Sequence, residues 1–589
     1  MNIQPIYFRN WTAFILLLCL GCGITTDIFS QPKFIYADKG RLYFPDGREV
    51  ALWGVNFQPN LSWEYNSRLK PIGIPLETGA LRKNAVDGLD EIVKMKCNLI
   101  RCHLTPADFT DDKGNLLETI YLDMLDYMVA EAAKRGVYVY IALINHMNNG
   151  FVENSFMNKC KRADWIYDPN TITCSQNYIK QLLERKNVYT KVSYKDEPMI
   201  AVWEIINEPS YHQYEKIRES SDSAAYSEWL ISGNIKDTLA SYHNYRKKLV
   251  LDYINGMYDV IRGTGANQPV VWNCNWHKMY AGHEDVFEAA AESKAEVVSF
   301  CNYPGQNECK QPYYQNPEDF TKYDFTSFFK NSYEKKEWYG WALSPAFMKK
   351  AKVIYEFETF YNQSAYLYPV MADLYRSLGV QMAAMWTYCS PTYAQYSSGS
   401  HFLSLSCTPR KAAAFMVAGE IFRSQPLYKN YDVSSPVEKL SENYFYSYKS
   451  NLSAFISQEK YYYSGGICNL IGLSEAKNPK EVIGFGCSHL IDYEGTGLYF
   501  LNISDKDIRL SIEPDARWNT DPWLQSRYKS IVTVLDSSAM HSFELKIDGL
   551  DPKKCTVYRL GGKNRQRVSL KDSRLKFDAV AGEYLITKK

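Results

Sequence analysis

Residues 201–209 read Ala-Val-Trp-Glu-Ile-Ile-Asn-Glu-Pro. An apolar run long enough for one strand stops abruptly at Asn207-Glu208-Pro209, because proline cannot donate to a sheet ladder. Glu208 is therefore expected where that strand leaves its sheet. A second apolar run, Lys352-Val353-Ile354-Tyr355-Glu356-Phe357-Glu358, also ends in carboxylates. Around these two, from about residue 40 to 425, short β-branched runs alternate with longer segments of helical periodicity, the pattern of parallel βα units. Eight strands are expected, at 50–56, 97–104, 137–145, 200–206, 269–275, 296–300, 352–355 and 380–386. A hairpin with Pro45-Asp46-Gly47 turn chemistry leads into the first. Leu122, Leu125, Met128, Val129 and Ala132 recur at helical spacing before Gly136 stops their helix, and a last amphipathic helix spans 408–422. Eight such units close into a (β/α)8 TIM barrel, whose chemistry gathers where the strands end.

After about residue 430 the pattern changes to short alternating runs separated by turn residues, as in Tyr444 to Tyr448 and Phe543 to Ile547. This reads as an all-β, sandwich-like accessory domain. The expected organisation is an export segment at 1–30, the barrel at 31–428 and the β domain at 429–589. In the first segment Arg9 precedes the apolar run Trp11 to Ile24, too short for a membrane span and suited to a signal peptide. Cleavage after Ser30 is preferred. A lipid anchor at Cys22 is the alternative, with Cys19 standing where a lipobox usually has Leu. Either way the chain is expected to be exported, to a periplasmic or extracellular destination.

With 67 Lys+Arg against 66 Asp+Glu the chain has no field to attract polyphosphate, which argues against nucleic acid as a partner. Of the 14 cysteines, Cys19 and Cys22 lie in the export segment; the other twelve include no C-x-x-C pair and the 9 histidines are spread singly, so neither metal nor cofactor is implied. Cys160 and Cys174 bracket a loop-like stretch and are candidates for a disulfide. The 47 tyrosines and 13 tryptophans suit a carbohydrate partner, since aromatic faces stack on sugar C–H surfaces. Trp53, Trp63, Trp272 and Trp276 are candidate platforms for a sugar. Trp518, Trp523 and Tyr528 are a weaker set in the β domain, which reads first as a support for the barrel.

Two carboxylates facing one another across a barrel rim can cleave a glycosidic bond, one as acid/base and one as nucleophile. The run Trp203-Glu204-Ile205-Ile206-Asn207-Glu208-Pro209 resembles the acid/base strand of glycoside hydrolase family 5 and its clan of retaining barrel hydrolases. Tyr194-Lys195-Asp196-Glu197-Pro198-Met199-Ile200 is similar to the approach segment of the endo-β-mannanase branch. Phe44-x-Asp46-Gly47 leading to Trp53-Gly54-Val55-Asn56, Arg101, Ser299-Phe300-Cys301-Asn302-Tyr303-Pro304, Glu356-Phe357 and Trp386 follow in the clan's order. The likeness ends near residue 425.

The resemblance implies that Glu208 is the general acid/base and Glu356 the nucleophile, with Asn207 on the sugar 2-hydroxyl. It implies that Arg101 and Tyr303 contact the nucleophile and that Trp386 lies under the reacting sugar. His146, at a strand end, is a further substrate-binding candidate, and His103 is placed similarly. Glu358 competes with Glu356, because alternation aims both at one face. Glu204 is expected inside the barrel as a structural partner of Arg101. Cys301 stands where the family pattern usually has His, so a polar contact to the substrate or to the acid/base is missing or comes from another residue.

The implied activity is retaining hydrolysis of a β-linked oligo- or polysaccharide, manno- or gluco-configured first, with β-galactosidase-like and β-glucuronidase-like hydrolases as alternatives. A glycan-binding protein without turnover is the reading from another class. Long segments at 148–173, 211–237 and 305–344 are expected to wall the rim, which favours an exo-acting or short-oligosaccharide enzyme.

Overall fold

The computed structural model describes residues 33–145, 150–276, 280–304, 324–358, 362–397, 401–433, 438–465, 479–519, 530–562 and 564–588. The export segment, His146, His277, Trp523 and Tyr528 lie outside them. Among the described residues, eight parallel strands close into a barrel in sequence order: β1 (Leu52–Asn56), β2 (Leu99–His103), β3 (Tyr138–Ala142), β4 (Ile200–Glu204), β5 (Val270–Trp276), β6 (Val297–Asn302), β7 (Ala351–Phe357) and β8 (Val380–Met385), the last pairing back onto β1. All eight expected strands are present, with ends displaced by up to three residues. Two of those displacements lengthen β6 and β7 at the rim, where the site lies.

The helices begin where the sequence supplies caps. The Thr119 hydroxyl accepts from the Leu122 amide ahead of Ile120–Lys134, and the Asp168 carboxylate accepts from Thr171 at 2.7 Å ahead of Pro169–Glu184. Leu122, Leu125, Met128, Val129 and Ala132 are all buried on the barrel wall. Each barrel strand sends alternate side chains inward and outward. Leu52, Leu99, Val202, Val271, Val297, Val353 and Met382 fill the interior, while Trp53 and Val55 pack outward. The two strands β1 and β2 approach so closely at Gly54 that a Cβ there would stand 1.7 Å from the Leu99 carbonyl oxygen. Only glycine fits.

The amino-terminal ends of the strands are plugged by a hairpin, Tyr36–Asp38 with Arg41–Tyr43, whose Leu42 exchanges two main-chain hydrogen bonds with the buried Gln381 side chain. Ile35, Leu42 and Val50 complete the interior from below. With the bottom closed, polar side chains are concentrated at the top.

Beyond the last barrel helix, Pro409–Ser424, a ten-stranded sheet faces a three-stranded sheet made of Ile491–Tyr493, His541–Leu545 and Lys576–Ala579. Leu452, Tyr463, Leu501, Leu510 and Ile586 of the first meet Ile491, Phe543 and Phe577 of the second in one core, a sandwich-like arrangement. A separate hairpin, Asp515–Trp518 with Thr533–Asp536, reaches back to the barrel: the Val532 amide donates to the Gln395 carbonyl at 2.8 Å.

The expectations for Trp53, Trp272 and the Cys160–Cys174 pair need correction. Trp53 is held among Phe357, Phe415 and Phe422 on the outer wall, and Trp272 is buried against Tyr253, so neither can offer a face to a sugar. Cys160 and Cys174 are not joined; their thiols turn to different carbonyls, those of Lys161 and Asp112. Among the described residues no helix is long and apolar enough to cross a membrane.

Candidate active site

Arg101, at the middle of β2 and fully buried, organises the carboxyl end of the barrel. Its Nη1 donates to Glu356 Oε1 and to Asn56 Oδ1, each at 3.0 Å, and its Nη2 donates to Asn207 Oδ1 at 2.8 Å and pairs with Glu204. Glu204 in turn accepts from Tyr140, from Asn273 at 3.2 Å and from Ser299 at 3.2 Å. A buried guanidinium is expensive unless it is paired and hydrogen-bonded. Burial works against the charge of Arg101, but Glu204, Tyr140 and Glu356 together outweigh it and hold the group protonated well above its usual range. Glu204 therefore anchors Arg101 from below, as the alternation along β4 suggests, and leaves the upper edge of the fork for Glu356 and Asn207.

Glu356 occupies the end of β7 and is held on both oxygens: Arg101 donates to Oε1 and the Tyr303 hydroxyl donates to Oε2 at 2.7 Å. Burial leaves its carboxyl raised above the ordinary carboxylate value, with Arg101, Tyr303 and Arg162 opposing part of that rise. Glu208 follows β4 at a backbone φ of +47°, a left-handed conformation that is rare for a residue with a side chain. Tyr355 donates to its Oε1 at 2.9 Å, and Arg162, from the segment after β3, contacts its Oε2 at 3.3 Å. Burial first, and then the negative charge of Glu356, raise the Glu208 carboxyl to about 7, against the opposing pull of Arg162, Tyr355 and Arg101.

Trp386, just past β8, is half-buried at the top of the interior, and its ring stacks on His103 at 5.1 Å between centroids. His103 is buried against Arg101 and lies 3.3 Å from Glu356 Oε1; burial and then Arg101 hold it neutral, far below the usual histidine range. Trp276, at the end of β5, also packs on the interior cluster, whereas Trp63 lies over the Arg68 guanidinium. Arg101, Asn207, Glu208, Tyr303, Glu356 and Trp386 are thus gathered at one end of the barrel.

The paired carboxylates of β7 separate for a local reason. Toward β6, Phe300 faces Ile354 and Cys301 faces Glu356; toward β8, Ala383 faces Ile354 and Met385 faces Phe357. Both neighbours skip one residue of β7, so Tyr355 is the extra residue of a β-bulge. Tyr355 and Glu356 then both serve the interior, Phe357 goes to the outer wall, and Glu358 falls beyond the strand, buried against Lys411 and Tyr368. A bulge re-aims a side chain in this way. Simple alternation along the strand misses it and misses Tyr355 as a contact of Glu208. Tyr355 also lies against Cys301, so the hydroxyl on Glu208 comes from β7 where the family pattern would bring a histidine from β6.

Residues 144–247, which carry Arg162, Asn207 and Glu208, match the family described as GH family 5 beta-mannosidase-like. This part of the barrel is similar to glycoside hydrolase family 5. Mannan endo-1,4-beta-mannosidase 4 of Solanum lycopersicum is 34% identical over 198 residues, which cover 31% of this chain and 46% of that protein. Mannan endo-1,4-beta-mannosidase 3 of Arabidopsis thaliana is 32% identical over 93 residues, 14% of this chain and 22% of that one. The match to these curated relatives spans less than half of their length. Among solved structures, the endo-1,4-beta-mannanase of Rhizomucor miehei aligns over 67% of this chain and 100% of its own, at 14% identity and a TM-score of 0.46. The chain also carries a sheet-rich C-terminal region after its barrel.

Proposed function

We propose that this protein is an exported, retaining β-glycosidase acting on β-linked mannan or its oligosaccharides by double displacement. The observation that carries the reading is the unequal environment of two neighbouring rim carboxylates. Glu356 is hydrogen-bonded by a guanidinium and a phenol that favour the ionised form a nucleophile needs, against the burial that raises its carboxyl, and Glu208 is desolvated beside it with its carboxyl raised to about 7, the state a general acid needs. Manno-configuration is favoured by the relatives' names, mannan endo-1,4-beta-mannosidases, and by the family match over residues 144–247.

In the first step Glu208 gives its proton to the glycosidic oxygen as that bond breaks, and a Glu356 oxygen bonds to the anomeric carbon. Forming the ester consumes the charge on Glu356 and removes a cause of the raised Glu208 carboxyl. Glu208 can then take a proton from water as the water oxygen attacks the anomeric carbon and the ester bond returns its electron pair to Glu356. Arg101, bridging Glu356 and Asn207, would fix the nucleophile relative to the residue meant for the sugar 2-hydroxyl. Trp386 on His103 would offer the hydrophobic floor.

The test is hydrolysis of β-linked manno-, gluco-, xylo- and galacto-oligosaccharides by wild type, Glu208→Gln and Glu356→Ala. Release of manno-products by wild type is expected, with a loss of at least about a hundredfold in rate for Glu208→Gln on an unactivated substrate. The products separate internal cleavage from trimming of ends. Binding of every glycan without release would replace the proposal with a non-catalytic glycan-binding role.

A further inference from the structure

Arg162 lies on a short helical turn, Arg162–Asp164, in the long segment between β3 and the helix Pro169–Glu184. The backbone there is fixed on both sides by apolar anchors: Phe156 and Met157 before it, Trp165 and Ile166 after it, all buried in the barrel's outer core. Tyr167 packs its ring on His212 at 4.7 Å and accepts from the His212 amide at 3.2 Å, which ties this segment to the chain just downstream of Glu208. The neighbouring acid, Asp164, is engaged by His212 at 3.2 Å and by Ser221, and makes no ion pair with Arg162.

Among the described residues the guanidinium of Arg162 hydrogen-bonds to Glu208, and holds it twice, while its charge is also felt by Glu356. Its Nη2 donates to the Glu208 carbonyl oxygen at 2.7 Å and to the carboxylate Oε2 at 3.3 Å. The carbonyl belongs to the residue at φ +47°, so the same group that touches the carboxylate also braces the left-handed turn presenting it. About a third of the Arg162 side chain is exposed. It lies opposite Tyr355, which holds the other carboxylate oxygen.

We propose that Arg162 is a positioning residue that acts through Glu208: it fixes the turn that aims the carboxyl and serves as counter-ion to Glu208 once that group has lost its proton. This rests on the reading of Glu208 as the acid/base. In the first half-reaction Glu208 is a neutral acid and the contact is an ordinary hydrogen bond. After the proton has passed to the departing oxygen, Glu208 is a carboxylate and Arg162 is the cation in contact with it. The charged groups facing Glu208 are Glu356 from β7 and Arg101 from β2 besides Arg162, with the phenols Tyr355 and Tyr303. When the glycosyl-enzyme has neutralised Glu356, Arg101 still faces Glu204, so Arg162 is the cation that belongs to the base.

Three substitutions separate the roles: Arg162→Lys keeps charge, Arg162→Gln keeps a donor for the carbonyl without charge, and Arg162→Ala removes both. Two pH profiles are read. One is kcat/KM on an unactivated oligosaccharide, whose alkaline limb reports Glu208 as acid. The other is kcat on the dinitrophenyl glycoside of the released sugar, whose acid limb reports Glu208 as base. A facing charge shifts a carboxyl by about 1 to 3 units, so at this exposure removal of Arg162 should move both limbs to higher pH by about half to one unit. Arg162→Gln is expected to show the full shift and Arg162→Lys little of it. A residue that merely shaped the loop would lower both rates without moving either limb, and profiles for Arg162→Gln that superimpose on wild type would overturn the proposal. Glu208→Ala with added azide keeps the two readings apart. Turnover of the activated glycoside restored by azide, with the glycosyl azide as product, upholds Glu208 as acid/base whatever Arg162 does. Unimpaired turnover without azide removes the foundation for both.

Discussion

At the scale of single residues, the site works by giving two identical side chains opposite surroundings. Glu208 is raised first by burial and then by the charge of Glu356, so its proton is lost only as the pH passes about 7. Activity that needs the protonated form must therefore fall on the alkaline side of that value and persist below it until Glu356 takes up a proton. Glu356→Gln removes the negative neighbour and leaves the burial. The Glu208 carboxyl is then expected to drop toward, but not reach, the ordinary value, which a carbon-13 NMR titration of labelled glutamate would read directly; a Glu208 carboxyl that stayed near 7 would mean that Glu356 does not act on it. The pairing of Glu208 with Glu356 was legible in the sequence because both end apolar strands. Arg162 was not, since an arginine in a long irregular segment carries no periodic signal and its partner is far away in the chain.

At the scale of the element, the last residues of β7 decide which carboxylate enters the site. Strict alternation leaves Glu356 and Glu358 equivalent, and the bulge at Tyr355 breaks the tie, a feature set by the register of β6 and β8 and invisible along one strand. The eight strands themselves were legible, because a parallel barrel buries them on both faces and makes each an apolar run. Their ends were less so, being fixed by neighbours across the barrel. Glu358 serves instead as the buried partner of Lys411, on the last barrel helix. Lys411→Met strands that carboxylate away from its cation and is expected to cost about 3 to 5 kcal/mol of stability, read by urea unfolding, with kcat/KM in the folded protein changed only a few-fold. Abolished turnover in a variant that is still folded would instead point to Glu358 as a participant in the chemistry.

At the scale of the whole molecule, the barrel and the C-terminal sheets are joined by buried polar contacts. Asp373, on the barrel helix Leu367–Ser377 and 1% exposed, pairs with Lys439 Nζ at 2.5 Å and accepts from Tyr444 at 3.1 Å and Tyr446 at 3.0 Å, all three from the large sheet. Lys94 and Lys96 of the barrel meet Glu513 and Glu481 of the sheet at positions about a third exposed on the lysine side, where screening leaves each pair worth little. The distinction makes Asp373 the contact on which docking should depend. Asp373→Ala leaves two ammonium groups, Lys439 and the more distant Lys429 at 3.8 Å, and two phenols without their shared acceptor, and a loss of about 3 kcal/mol is expected, at the low end for a broken buried pair because Lys439 keeps some access to water. Limited proteolysis reads the consequence: cleavage between the last barrel helix, which ends at Ser424, and the first sheet strand, which begins at Glu438, should become faster than in wild type. Lys439→Met in the Asp373→Ala background removes the nearer of the two stranded cations and should recover part of the loss. If neither variant changes stability or cleavage, the two regions are held by their apolar contacts, among them Leu535 of the returning hairpin against the barrel-rim cluster of Tyr65, Tyr393 and Phe402.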